Sequence, residues 1–446
     1  MPRRTDQLKL GAFLANSGHH VAAWRHPLAQ ADASQDFEHF KHIAETAERG
    51  KFDALFIADV VGLWGHHYDA LSRTARAEHF EPLTLMAALA AVTEHIGLIA
   101  TATTTYNEPY HIARKFASLD HLSKGRAAWN VVTSVVSDEA WNFGREQHVE
   151  HGDRYQRAEE FVEVVKGLWD SWDDDAFVRD KDSGVYFDVQ RLHTLNHRGE
   201  HFSVRGPLNV ARAPQGHPVL VQAGASEAGR TLAARIAEVI FASSSEVPAA
   251  QAFYRDIKQR AAAFGRDPDT VKILPGVTPF IADTREQAQA LFEEFQALID
   301  PVLGLRLLAD TLGDDIDLSG HDLDGPLPPT PAGQRGSRRD KVLELARSEN
   351  LSIRQLYLRL AGGNPVIGTA EDVADTFEAW FEARACDGFN VFFPYFPGAI
   401  DTFVDQVIPL LQQRGLFRLN YEGQTLRENL GLPRPGNRFS DVGARP

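Results

Sequence analysis

Residues 95–132 read HIGLIATATTTYNEPYHIARKFASLDHLSKGRAAWNVV. The run 95–105 is apolar and rich in strand formers, 110–122 reads as a helix, and 126–132 is a second strand. Strand, helix and strand in immediate succession form the βαβ unit of a parallel sheet. The same rhythm extends both ways. Upstream lie a strand at 8–14, a helix at 34–49 after a Gly/His/Pro loop, a strand at 53–58 and a helix at 83–93. Downstream, apolar positions at helical spacing mark 153–169. Strands follow at 218–222, 239–242 and 271–278, each leading into a helix, at 227–235, 249–264 and 285–297. An eighth strand at 389–393 precedes a last helix around 400–414. Eight such units predict an α/β fold, a (β/α)8 TIM barrel in one domain over residues 1–446, with its chemistry where strands end and loops begin.

Three stretches exceed a minimal barrel: 62–77, 173–217 and 300–365. Long insertions on barrel loops are usually lids or interfaces. The hairpin-like runs VYFDV and HFSVR lie in the second, and two helices are expected in the third. The Pro/Gly/Arg-containing tail from about 430 is expected to be disordered or an arm lying on a neighbour.

With 446 residues and 43% hydrophobic content, the chain buries a core without disulfide or metal staples. A net charge of −15 argues against general nucleic-acid binding. Cys386 is the single cysteine, so no intrachain disulfide forms and no cysteine-based zinc or iron–sulfur site exists. No run of 18 apolar residues occurs, and the start MPRRTDQLKLGAF lacks the apolar stretch of a signal peptide, which predicts a soluble, cytoplasmic protein with no membrane contact.

Several motifs tempt. Gly224-Ala-Ser-Glu-Ala-Gly-Arg-Thr231 approaches the phosphate-loop signature, but Arg230 stands where lysine belongs. Either a capped helix or a single-phosphate site at the helix start fits it better. Asp315-x-Asp317-x-Ser319-Gly320 resembles a calcium loop whose twelfth position is Pro326 in place of glutamate, and a solvated loop is the better reading. Among 18 histidines there is no His-x-His and no HExxH, so no metal site is expected. The pairs His19-His20 and His66-His67 follow strand ends, where at most one ring of each is expected to face the barrel mouth and loop histidines are often merely solvated. Asp59 ends the second strand as a carboxylate leaving an apolar run. Thr103 and Thr105 share one face of the third. Asn130 places an amide within an apolar strand, where a heteroaromatic ring or a neighbouring backbone group would satisfy it. His151 and Tyr155 sit one turn apart at a helix start.

Together the stretches GHHVAAWRHP27, FDALFIAD59, EPLTLMAALAAVTEHIGL98, TTTYNEPYHIARKFASLDHLSKGRAAWNVVTS134, NFG144, HGDRYQRAEEFVEVVKGLWDSW172, RGPLNVARAPQGHPVLVQAGASEAGR230 and GFNVFF393 resemble the bacterial luciferase-like flavin-dependent monooxygenases. Within that superfamily they look like the branch of nitrilotriacetate monooxygenase component A, dibenzothiophene sulfone monooxygenase and long-chain alkane monooxygenase. The resemblance implies a TIM barrel that takes reduced FMN (FMNH2) from a separate NAD(P)H:flavin reductase. It implies that O2 then gives a peroxyflavin, which oxygenates a small organic substrate. Flavin contacts carry over onto Asp59, Thr105, Asn130, His151, Tyr155, Ala225 and Ser226. His19 and His20 are the catalytic candidates. Phe13, Trp24, Arg25 and Trp64 are the substrate-side candidates: Arg25 would suit a carboxylate, and the aromatics an apolar substrate. A homodimer or homotetramer is the expected assembly. The competing readings are a deazaflavin-dependent oxidoreductase on the same barrel and a non-catalytic flavin-binding protein.

Overall fold

The computed structural model describes residues 4–63, 67–134, 136–313, 316, 318, 320–329 and 338–439, with the side chains of residues 151 and 338 outside that set. Eight parallel strands close on themselves: β1 Lys9–Phe13, β2 Ala54–Ile57, β3 Gly97–Thr103, β4 Ala127–Val132, β5 Val219–Gln222, β6 Val239–Ala242, β7 Lys272–Ile281 and β8 Gly388–Phe392. Each pairs with the next, β7 pairs with β8, and β8 returns to β1, which makes the (β/α)8 barrel. The expected strands coincide with these eight.

The strand residues alternate as a barrel requires. Leu10 and Ala12, Leu55, Leu98 and Ala100, Trp129 and Val131, and Phe389 and Val391 belong to the large core between strands and helices. The intervening residues point inward. The lower interior is filled by Ala54, Ile99, Ala128, Val219, Val239 and Leu274. One level higher, Phe13 stands in register with Phe56 on one side and Phe392 on the other, and Phe56 packs on Phe241 with centroids 4.3 Å apart.

Below the strands, buried charges are paired or hydrogen-bonded to backbone carbonyls. Arg126 donates to the carbonyls of Ser123, Ile96, Ala90 and Thr93 and to the Thr93 hydroxyl. Asp53 accepts from the Leu10 amide at 2.7 Å and pairs with Arg418. The C-terminal segment closes this end. Leu426, Leu430 and Leu432 join the inner core, and Asn437 donates to the carbonyls of Asp170 and Trp172. Residues 430–439 are therefore packed on their own chain, which corrects the expectation of a disordered or neighbour-bound tail. Apolar side chains every few residues anchor a segment whose Pro and Gly content had suggested a loose arm.

Helix Pro301–Leu312, helix Arg338–Ser348 and helix Ile353–Ala361 make three helices where two were expected. They build a second small core with Val21 and Ala22 from the loop after β1. The insertion returns to the rim through strand Pro365–Gly368, which extends the upper end of β7. In the 173–217 excursion only His197–Arg198 and Ser203–Val204 pair as strands, whereas VYFDV lies in a loop closed by two backbone bonds to Arg179 and Asp180. The last helical stretch widens to a π-turn over Phe403–Val407 just before Pro409, whose ring cannot follow a regular α-turn. No helix among the described residues is long and apolar enough to cross a membrane.

Candidate active site

A cavity of about 750 Å³ opens at the carboxyl ends of the strands. Its floor is aromatic. Phe13 lies 4.7 Å from Phe392, and the His19 ring stacks on both, at 4.6 Å from Phe13 and 4.9 Å from Phe392. Gly18 sets this up. Its φ of 136° turns the chain, and a Cβ there would stand 2.4 Å from the Pro394 carbonyl oxygen. Because the chain turns here, the alternation expected of an extended segment fails and both His19 and His20 line the cavity.

The two rings differ chemically. His19 Nδ1 faces the Phe393 carbonyl at 3.3 Å, which makes it the protonated nitrogen and leaves Nε2 a buried lone pair with no donor. Burial, reinforced by the Arg76 charge, pushes the His19 pKa down to about 3, so the ring is neutral. His20 spends both nitrogens: Nδ1 accepts from the Ala22 amide at 3.3 Å, and Nε2 donates to Gln296 Oε1 at 3.1 Å. Burial lowers its pKa to about 4. Gln296 donates in turn to the Leu358 carbonyl, tying the cavity wall to the inserted helices.

Asp59 lines the cavity from the end of β2 and accepts from His79 Nε2 at 2.9 Å. That bond raises the His79 pKa and favours the imidazolium. The upper rim is formed by Ser243, Ser244 and Ser245 after β6 and by Gly362, Gly363 and Asn364 of the insertion, with Asn364 Nδ2 donating to the Ser244 carbonyl at 3.3 Å.

The flavin candidates Thr105, Asn130, Tyr155, Ala225 and Ser226 do not line the cavity. Asn130 points inward from β4. Its Nδ2 donates to Thr101 Oγ1 at 2.9 Å, while its carbonyl oxygen is buried with no donor. The Thr105 hydroxyl donates to the Thr133 carbonyl at 2.7 Å and keeps lone pairs to accept. Ser226 caps helix Glu227–Ile236 by accepting from the Gly229 amide at 3.1 Å. Arg230 turns away from any anion, donating to the Ala225 carbonyl and pairing with Asp256. Tyr155 lies in the first turns of helix His151–Trp169, which is bridged to helix Glu227–Ile236 by the Glu159–Arg235 ion pair. Both helices start on the face that carries the cavity.

Two substrate-side candidates sit elsewhere. The Trp24 indole donates to the Arg73 carbonyl at 2.9 Å, and the exposed Arg25 guanidinium is spent on the Leu298 carbonyl, so neither reaches the cavity. Trp64, His66 and the side chain of His151 lie outside the described residues, as do several positions of the calcium-like loop. The sequence reading had missed Arg76, His79 and the Ser243–Ser244–Ser245 run. Isolated polar residues in loops give no periodic signal that would single them out.

The unpartnered acceptors of Asn130 and His19 lie toward the carboxyl ends of the strands, where a (β/α)8 barrel carries its chemistry. A heteroaromatic ring bearing N–H groups fits such a wall. The pattern of the family described as luciferase-like monooxygenase matches residues 17–386. The chain is 55% identical to N-acetyl-S-(2-succino)cysteine monooxygenase of Bacillus subtilis (strain 168), over 99% of this chain and 100% of that one. It is 51% identical to nitrilotriacetate monooxygenase component A of Aminobacter aminovorans, over 97% and 98% of the two chains. A solved structure of riboflavin lyase (RcaE) with modified FMN and riboflavin superposes with a TM-score of 0.83 at 33% identity, covering 96% of this chain and 97% of that one. A barrel with these unsatisfied acceptors at its mouth and this similarity along nearly its whole length belongs to the luciferase-like monooxygenase family.

Proposed function

We propose that this flavin-dependent monooxygenase works as the oxygenase half of a two-component system. It takes reduced FMN from a separate NAD(P)H:flavin reductase and uses O2 to place one oxygen atom on a small organic substrate, the other leaving as water. The observation that carries the reading is the buried, donor-free Asn130 carbonyl in the inner wall. Such a group costs about 1–3 kcal/mol until a ligand N–H reaches it. The word component in the name of the Aminobacter relative supports the divided system.

Asp59, Thr105 and Asn130 would hold the ring, with Tyr155, His151 and the Ala225–Ser226 turn toward the phosphate. At that turn the first backbone N–H groups of helix Glu227–Ile236 favour an anion. When bound, the flavin supplies the two electrons that activate O2. The chain's own part is to position, protect and move protons. The aromatic floor of Phe13 and Phe392 and the rim residues Gly362, Gly363 and Asn364 would keep water from the reacting centre. Neutral His19 offers Nε2 as a hydrogen-bond acceptor, and His20 acts through Gln296 to hold the wall. His79, whose pKa the bond to Asp59 raises, would serve as a proton donor in the same cavity. We read the protein as a cytoplasmic homodimer or homotetramer, as the resemblance to the family implies.

The test supplies FMN, NADH, a generic flavin reductase and ¹⁸O2, and screens aminopolycarboxylates, sulfones and alkanes for product. One labelled oxygen per product, dependent on the reductase, is expected. Product formed under anaerobic conditions would instead favour a deazaflavin-type oxidoreductase, and failure of reduced FMN to bind would overturn the proposal.

A further inference from the structure

Arg76 is a cation in the cavity that the reaction above leaves unused. It lines the wall from the loop after β2, and its Nη2 donates to the His19 carbonyl at 3.0 Å. The acids of the same cavity are already taken. Asp59 is held by His79 at 2.9 Å, and the Glu78 carboxylate accepts from the Ser34 hydroxyl at 2.6 Å and the Gln35 amide at 3.1 Å. Among the described residues no carboxylate forms an ion pair or hydrogen bond with Arg76, whose side chain bonds the His19 carbonyl. A guanidinium has five N–H donors in a planar fork, and one carbonyl uses a small part of them. Arg76 is exposed at the cavity wall, so the remaining donors of its fork are open to an arriving anion.

We propose that Arg76 is the carboxylate anchor of the substrate site, so that this enzyme takes organic acids in preference to neutral sulfones or alkanes. The inference rests on the monooxygenase reading above and names the substrate class of that site. Carboxylate and guanidinium match as a bidentate pair, a geometry that neutral substrates cannot reproduce. The anchor is bonded to the backbone of His19, whose ring stacks on Phe13 and Phe392, so a substrate held there lies in the cavity with that aromatic floor. Arg25 does not line the cavity and so does not take the role.

The test compares N-acetyl-S-(2-succino)cysteine and nitrilotriacetate with their fully methylated esters, by calorimetric titration of the whole protein loaded with FMN. The wild type is expected to bind at least one acid roughly tenfold or more tighter than its ester. Arg76→Gln should erase that difference by weakening the acid alone, and Arg76→Lys should restore part of it. FMN affinity should be the same in all three proteins, because the proposal gives Arg76 no part in holding the cofactor. Equal binding of acids and esters by the wild type would overturn the proposal, and so would a matching loss of FMN affinity in Arg76→Gln. Both results stand apart from the labelled-oxygen experiment, which tests the reaction itself.

Discussion

Replacing Asn130 with leucine separates the cost of an unsatisfied group from its use. The two side chains have the same number of heavy atoms, so the inner wall keeps its shape. In the cofactor-free protein the substitution removes one hydrogen bond, Nδ2 to Thr101 Oγ1, with a net value of about 1 kcal/mol. It also removes a buried carbonyl with no donor, a penalty of about 1–3 kcal/mol. The Thr101 hydroxyl still donates to the Ile57 carbonyl at 2.7 Å and is not stranded. The expected sum is a cofactor-free protein as stable as the wild type or more stable by up to about 2 kcal/mol, read by urea unfolding. Reduced FMN, whose N–H would relieve the penalty, should bind roughly 5- to 150-fold more weakly in anaerobic titration. Unchanged flavin affinity would refute the assignment. So would destabilisation by more than about 3 kcal/mol, since the amide would then be satisfied within the protein.

Ser226→Asp preserves the helix cap while adding negative charge at the phosphate turn. Thermal stability should change by less than about 1 kcal/mol, while reduced-FMN binding falls at least about tenfold, measured by fluorescence. For His79, the bond to Asp59 raises the folded pKa, so the stabilisation is fully present below the unfolded value near 6.5 and is lost as pH rises through the folded one. Asp59→Asn should move the His79 titration to lower pH by NMR, and with it the alkaline limb of the activity profile. At the closed end, Arg418→Met strands the buried Asp53 carboxylate and should destabilise the fold by about 3–5 kcal/mol in denaturant titration, with unfolding midpoint as the readout.

The barrel was legible because each strand announces itself locally. Runs such as DALFIA and PVLVQ are short, apolar and bounded by turn residues, and a strand buried on both faces needs nothing more. Ser226 was legible for the same reason, as a cap is a matter of a few residues. The C-terminal segment misled, since its Pro and Gly content hid Leu426, Leu430 and Leu432, whose partners lie hundreds of positions away inside the barrel.

Local pattern thus settles eight strands, their helices and the end of the barrel that carries chemistry, because hydrophobic periodicity is a short-range property of the chain. The likeness of long stretches to a known family added the cofactor. Which arginine reaches the cavity, which histidine keeps a free nitrogen and which carboxylate holds His79 were decided by the folded chain alone. Those relations depend on where loops from β1, β2 and the 300–365 insertion meet, and on Gly18 turning both histidines inward. Contacts between segments so far apart in sequence leave no periodic trace, and it is their geometry that assigns each polar group its partner or leaves it free.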